Sequence, residues 1–237
     1  VVMAGKVPSN ALDKIRATFG KVVGRTVKRV DEAFSQGEPI KMMRARIQTK
    51  SLEQIQLALG FPTPGRAHKD MEALKLLGTI LGGTMSSRLF VEVREKRGLC
   101  YTVRATVDSY DDVGMFTIRA GLDAKRLHEA MKVIMAEVKK IAKLGVTAKE
   151  LAMAKDNLRG GILLQLEDSS NRAEFVGRQE LFMHEVATPE ERMKRFDAVT
   201  RGDIARVAKT VLDPKLMSAA GIGPFKNEQD FLKRLGL

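Results

Sequence analysis

The stretch "FVEVREKRGLCYTV", Phe90–Val103, decides the fold. Its first half has the apolar spacing of a helix: Phe90 and Val93 continue a stripe begun by Met85 and Leu89, with charged residues on the other faces. Gly98 stands where a helix ends on a left-handed residue, and Leu99 is placed to close over that end. From Cys100 the alternation has period two, so a strand begins at once. A charged helix that turns on one glycine into a strand brings Arg94 and Tyr101 to the same junction.

Outward from that junction the elements follow in order. "CYTVRATV" and "GMFTIRAGL" alternate as two strands joined by "DSYDD", an antiparallel hairpin. Upstream, "QIQLALGF" (54–61) reads as a strand that "PTPG" is expected to stop. "HKDMEALKLLGTIL" reads as a helix, and "GGT" separates it from the helix "MSSRLFVEVREKR". Residues 21–50 read as a polar connection running into an edge strand. A long helix is expected from Asp123, with Leu127, Met131, Ile134, Val138 and Ile141 on one face. Three later helix starts carry capping boxes: Thr147 with Glu150, Thr188 with Glu191, and Thr200 with Asp203 as a weaker variant. Strands come in pairs and helices in a block. The expected class is therefore α+β, a mixed, mostly antiparallel sheet with helices packed on one face.

A weak internal repeat bears on domain organisation. "VVMAGKVPSNALDKIRATFG" (1–20) aligns without a gap on "MSAAGIGPFKNEQDFLKRLG" (217–236). Ala4, Gly5, Pro8 and Gly20 match Ala220, Gly221, Pro224 and Gly236, and Ile15 and Phe19 fall on Phe231 and Leu235. Both segments read as strand, Gly/Pro turn, helix. On this reading residues 1–35 are the closing strand and helix of a preceding homologous domain plus a linker, and 36–237 form a second, complete domain. The first segment would lack its own sheet, and would dock on the second domain or pair with another copy.

Composition narrows the partners. The formal charge is +12, but the basic residues are spread over nearly every helix and mixed with acids. With no Trp and two Tyr for base stacking, nucleic acid is an unlikely ligand, and the basicity suits solvated faces or a chamber for acidic or flexible partners. No apolar run approaches the ~20 residues of a spanning helix. "VVMAGKVPSN" is a short apolar patch without a basic leader, not a signal peptide, and a leader removed earlier stays open. One cysteine leaves no internal disulfide and no CxxC pair. Nothing chooses between cytoplasm and periplasm.

Candidate chemistry is sparse. His68, His128 and His184 are far apart, no HExxH or HxxEH occurs, and each reads as a surface or helix-end residue. No metal ligands and no cofactor are therefore assigned to this chain. Cys100 reads as a small buried hydrophobe rather than a reactive thiol. GxSxG and SxxK are absent, and "LGG" (81–83) reads as a tight step between helices, not a phosphate cradle. The acid pairs Glu167–Asp168 and Asp111–Asp112 read as turn or cap residues. Arg94 and Tyr101 remain. A guanidinium and a phenol on one side of a helix–strand junction suit a peptide carbonyl or a developing oxyanion. On spacing alone, a surface ion pair and a half-buried strand tyrosine stand ahead of that reading.

"LLGTILGGTMSSRLFVEVREKRGLCYTV" resembles the signature of the C-terminal half of the M16 (pitrilysin-type, insulinase-like) zinc metallopeptidases, above all their processing-protease-like bacterial members. The start "VVMAGKV" and the helices of "TAKELAMAKDNLRGGILLQLEDSSNRAEFVGRQELF" are similar to the family too. The resemblance implies a duplicated α+β protein whose two halves close around an unfolded peptide. It implies that the other half carries HxxEH and a distant Glu, which hold zinc and supply the general base. It also implies that this half supplies an arginine and a tyrosine, seven apart, to hold the substrate backbone near the scissile bond. Arg94 and Tyr101 meet that spacing as substrate-binding residues, with Tyr101 supporting the transition state in the assembled enzyme. Thr84 replaces the usual third glycine, and Cys100 the small residue before the tyrosine.

The expected function is the non-zinc half of a metalloendopeptidase, inactive by itself. Its expected partners are an HxxEH-bearing catalytic half or subunit and an unfolded peptide, with a homodimer also open. The alternatives are a structural or assembly subunit of the same family and, less favoured, a basic nucleic-acid-binding protein.

Overall fold

The computed structural model describes residues 1–22, Gly24 and 45–237. Most of the expected polar connection, and the expected boundary at 35/36, lie outside these residues. The chain divides into two compact units: Val1–Ser35 with Asn157–Lys194, and Gln36–Asp156 with Arg195–Leu237.

The larger unit is built on a five-stranded sheet. Its strands are β1 (Ala45–Thr49), β2 (Gln54–Pro64), β3 (Cys100–Ser109), β4 (Val113–Asp123) and β5 (Ser218–Gly223), in the order β1-β5-β2-β4-β3. Only β1 and β5 run parallel; the other pairs are antiparallel. The mixed, mostly antiparallel α+β architecture is the expected one, and β1 is the expected edge strand. One boundary differs. β2 does not stop at "PTPG" but pairs with β4 as far as Pro64. Its pairing with β5 ends at Gly60, so Pro62 and Pro64 lie where that edge is already free and a missing N–H goes unused.

Alternation along the strands makes one face apolar. Ile55, Leu57, Leu59 and Phe61 of β2 and Phe116, Ile118, Ala120 and Leu122 of β4 are buried. Over this face pack helices of the same unit: α2 (Met71–Gly78), α3 (Leu127–Leu144), α7 (Arg201–Val211) and α8 (Glu228–Leu235). The expected α3 stripe is buried throughout, Leu127, Met131, Ile134, Val138 and Ile141 alike. The helix starts at Leu127 rather than Asp123, because the Asp123 carboxylate accepts the Lys125 N–H and makes a turn first.

The smaller unit contains α1 (Ala11–Phe19) and α5 (Ser169–Met183); α4 (Ala148–Gln165) and α6 (Pro189–Ala198) cross from one unit to the other. All three expected capping boxes form, at Thr147–Glu150, Thr188–Glu191 and Thr200–Asp203. Within the smaller unit Gln179 of α5 bonds both the N–H and the carbonyl of Ala187, which fixes the approach to α6.

The two copies of the internal repeat differ. In the second, β5 lies between β1 and β2, and α8 buries Phe231 and Leu235. In the first, α1 forms at the matching residues, but 1–7 form no strand and Phe19 is 54% exposed. The same apolar pattern is present in both copies, and in the second it is buried against the sheet of its own unit.

Candidate functional site

The helix that carries Arg94 runs from Arg88, and its last part, Phe90–Glu95, is widened to π-helical geometry. Leu89 and Val93 are buried and seat it, whereas Met85 precedes the helix and is exposed. Gly98 has φ +58°, the expected left-handed stop. The Leu99 N–H reaches back to the Val93 carbonyl around a Gly98 N–H to Arg94 carbonyl bond, and Leu99 is buried over the end. The turn before the helix also requires a glycine. A Cβ at Gly82 would meet the Ala105 backbone nitrogen at 2.5 Å, so the "LGG" step lets the backbone approach β3. Thr84 by contrast is extended, at φ −135° and ψ 168°, which any residue adopts.

Side chains brace the helix end. Glu92 takes Lys96 and Arg97 on its two oxygens, each at 2.6 Å, and these cations hold its carboxyl below the usual range. Arg126, just before α3, donates to the Arg97 carbonyl at 3.2 Å and is itself held by Glu129.

Tyr101 opens β3 on an irregularity. Cys100 pairs with Leu122 and Thr102 with Gly121, so Tyr101 is the extra residue of a β-bulge. A bulge turns a side chain out of the regular alternation, and Tyr101 is 68% exposed. The Arg94 guanidinium carbon lies 5.5 Å from the centre of its ring and 4.9 Å from that of Phe90. The structure therefore brings the two expected site residues together. Among the described residues neither the Tyr101 hydroxyl nor the Arg94 guanidinium has a hydrogen-bond or ion-pair partner. The expected surface ion pair at Arg94 and half-buried Tyr101 are both replaced by an exposed stack with its donors unspent. Cys100 beside them is half-buried; burial raises its thiol pKa, opposed by the Arg94 charge, so it stays a thiol.

The histidines sit at turns and helix ends. His68 accepts the Asp70 N–H before α2, His128 is in the first turn of α3, and His184 ends α5 in a left-handed conformation. Among the described residues no three His, Cys, Asp or Glu side chains are placed to hold a metal, so these residues do not fit a zinc centre.

Residues 1–158 match the family model for the peptidase M16 inactive domain. The chain belongs to that family. An uncharacterized zinc protease of Mycobacterium tuberculosis is 34% identical over 236 residues, which is 99% of this chain and 54% of the relative. One from Bacillus subtilis is 30% identical over 84% of this chain and 47% of the relative. This M16 domain thus spans about half the length of the curated relatives it matches. Among solved structures, a protease from Helicobacter pylori superimposes with a TM-score of 0.81 at 23% identity, covering 93% of this chain and 54% of that one. A peptidase M16 inactive domain from Pseudomonas fluorescens gives 0.71 at 24%, covering 79% and 44%. These two likenesses establish the fold.

Sequence reasoning missed the bulge at Tyr101 and the brace from Arg126. The Glu92–Lys96 spacing was a local signal for part of the brace. Arg126 is 29 residues from Arg97 and gave none.

Proposed function

We propose that this M16 domain is the non-zinc half of a metalloendopeptidase, which binds an unfolded peptide and completes the active site of an HxxEH-bearing half. The observation that carries the reading is the exposed Arg94–Tyr101 stack with free donors at a braced helix end. The names of the relatives, zinc proteases about twice as long as this chain, support it. In this reading the zinc and its ligands lie in the partner half. Arg94 holds a carbonyl of the substrate backbone, and the Tyr101 hydroxyl donates to the oxygen on which charge develops.

The test is metal content and cleavage of a fluorogenic unstructured peptide, first by this chain alone and then with the HxxEH-bearing half added. The expected result is no zinc and no cleavage alone, and cleavage after reconstitution. Zinc-dependent cleavage by the isolated chain would overturn the proposal and make a site of the three histidines.

A further inference from the structure

The sheet of the larger unit keeps one face open, and that face carries a charge arrangement that the fold does not need. Register sets Arg104 of β3 directly opposite Arg119 of β4, and the same row continues through Ala58 of β2 and Ala220 of β5. Like charges opposite one another weaken a strand pair. Arg119 has a partial counter-charge in Asp108 at 3.5 Å, with both side chains more than half exposed. Arg104 is exposed and has no carboxylate partner among the described residues. Arg46, at the far end of the row, is by contrast paired to Glu228 at 2.8 Å.

The surroundings suit a bound carboxylate. In the next row the Thr102 hydroxyl, the Gln56 amide nitrogen and the Gln54 amide oxygen lie over Gly121, all within 3.6 Å of where a Cβ would stand. On the other side Ala58 and Ala220 leave a low floor beside Arg119. Two guanidiniums next to the Thr102 hydroxyl and the Gln56 amide nitrogen, with space beside them, offer donors that match a carboxylate, while the Gln54 oxygen is an acceptor at the edge of the site. Arg104 follows Tyr101 by three residues, about 10 Å along the strand. A peptide anchored at Tyr101 reaches the pair within a few of its own residues.

We propose that Arg104 and Arg119 form an anion subsite that selects an acidic side chain, Asp or Glu, of the bound peptide, with the Thr102 hydroxyl and the Gln56 amide nitrogen as further donors at its rim. This rests on the peptide-binding reading of Arg94 and Tyr101. The competing explanation is the general attraction of a chain of net charge +12 for any acidic peptide. That attraction does not depend on two particular arginines.

The experiment is fluorescence anisotropy with the full chain and two labelled unstructured peptides that differ only by Glu in place of Gln. Ionic strength is held near 0.15 M, where the screening length is about 8 Å and distant charges count little. The expected result is about ten-fold tighter binding of the Glu peptide, the scale of a charge-assisted contact. Arg104→Gln and Arg119→Gln each bring the Glu peptide down toward the Gln peptide. Lys139→Gln, an exposed lysine on α3, preserves the difference and supports a local subsite. Equal affinities in the wild type, or an equal loss in Lys139→Gln, would overturn the subsite and leave the peptide-binding reading standing. Binding of neither peptide would overturn both. Melting curves of the two arginine variants, both surface changes, establish that each is folded.

Discussion

Arg88 grips Glu150 with a two-pronged contact, Nε to one carboxylate oxygen at 2.6 Å and Nη2 to the other at 2.9 Å. The same Nη2 donates to the Gly145 carbonyl at 3.0 Å. Glu150 meanwhile accepts the Thr147 N–H and hydroxyl in the capping box of α4. Arg88 is the first residue of the helix that carries Arg94. One carboxylate therefore both starts α4 and fixes the near end of the helix that presents the candidate site.

That pair makes stability depend on acid pH. Burial alone would raise the Glu150 carboxyl, but Arg88 and Thr147 outweigh it and hold it at about 2, against an ordinary 4.5. A depressed carboxylate contributes its full share above the ordinary value and loses it as pH falls toward 2. At full strength the depression is worth about 3 kcal/mol, and partial exposure reduces that to about 1–2 kcal/mol. Glu150→Gln is expected to lower stability at pH 7 by about 1–3 kcal/mol, leaving Arg88 without its charge partner. The gap to wild type should close between pH 4.5 and pH 2. Urea midpoints across that range check this, and a gap that stays constant down to pH 2.5 would refute it.

Gly98→Ala tests the helix stop in isolation. Nothing lies within 4 Å of a Cβ at this position, so the cost is conformational alone. A left-handed alanine is expected to destabilise by about 1 kcal/mol, and Gly98→Asn by less, since asparagine tolerates that region. Thermal unfolding of the two variants measures the difference. An alanine variant as stable as wild type would show that the turn does not depend on its glycine.

Arg126 acts on the site through the Arg97 carbonyl. Its pair with Glu129 lies at the surface and is screened by water, so Arg126→Ala should leave global stability nearly unchanged. It should still speed amide exchange at Gly98 and Leu99 several-fold, because the helix end loses its outside tether. Hydrogen exchange that rises uniformly over the whole domain would mean a general loss of stability instead.

What could be read from the sequence divides by range. The helix stop at Gly98, the hairpin after it, the α3 stripe and the three capping boxes are signalled by patterns local in the chain, and each formed as expected. The end of β2 was misjudged because two prolines break a strand only where their N–H groups are needed. That depends on β5, more than 150 residues away in the chain. Arg94 and Tyr101 were visible as a pair, but the bulge that turns Tyr101 out comes from the register of β3 on β4. The facing of Arg104 and Arg119 has the same origin. Alternation places each arginine on the open face, while only the register makes them neighbours.

The sharpest division between a working half-site and a purely structural subunit lies at Tyr101. Tyr101→Phe keeps the ring that Arg94 stacks on and removes only the hydroxyl. In the assembled enzyme it is expected to lower turnover by about ten-fold or more, the scale of losing one oxyanion donor, with little change in KM. Arg94→Lys keeps the charge and loses the planar fork, so it should raise KM and leave kcat less affected. If this domain only completes the assembly, neither change touches turnover, because both side chains are exposed and neither holds the core. A split between kcat for the tyrosine and KM for the arginine is an outcome that a structural role does not produce. Steady-state kinetics of the two variants in the reconstituted enzyme therefore decide the matter, and unchanged turnover in Tyr101→Phe would take that residue out of the site.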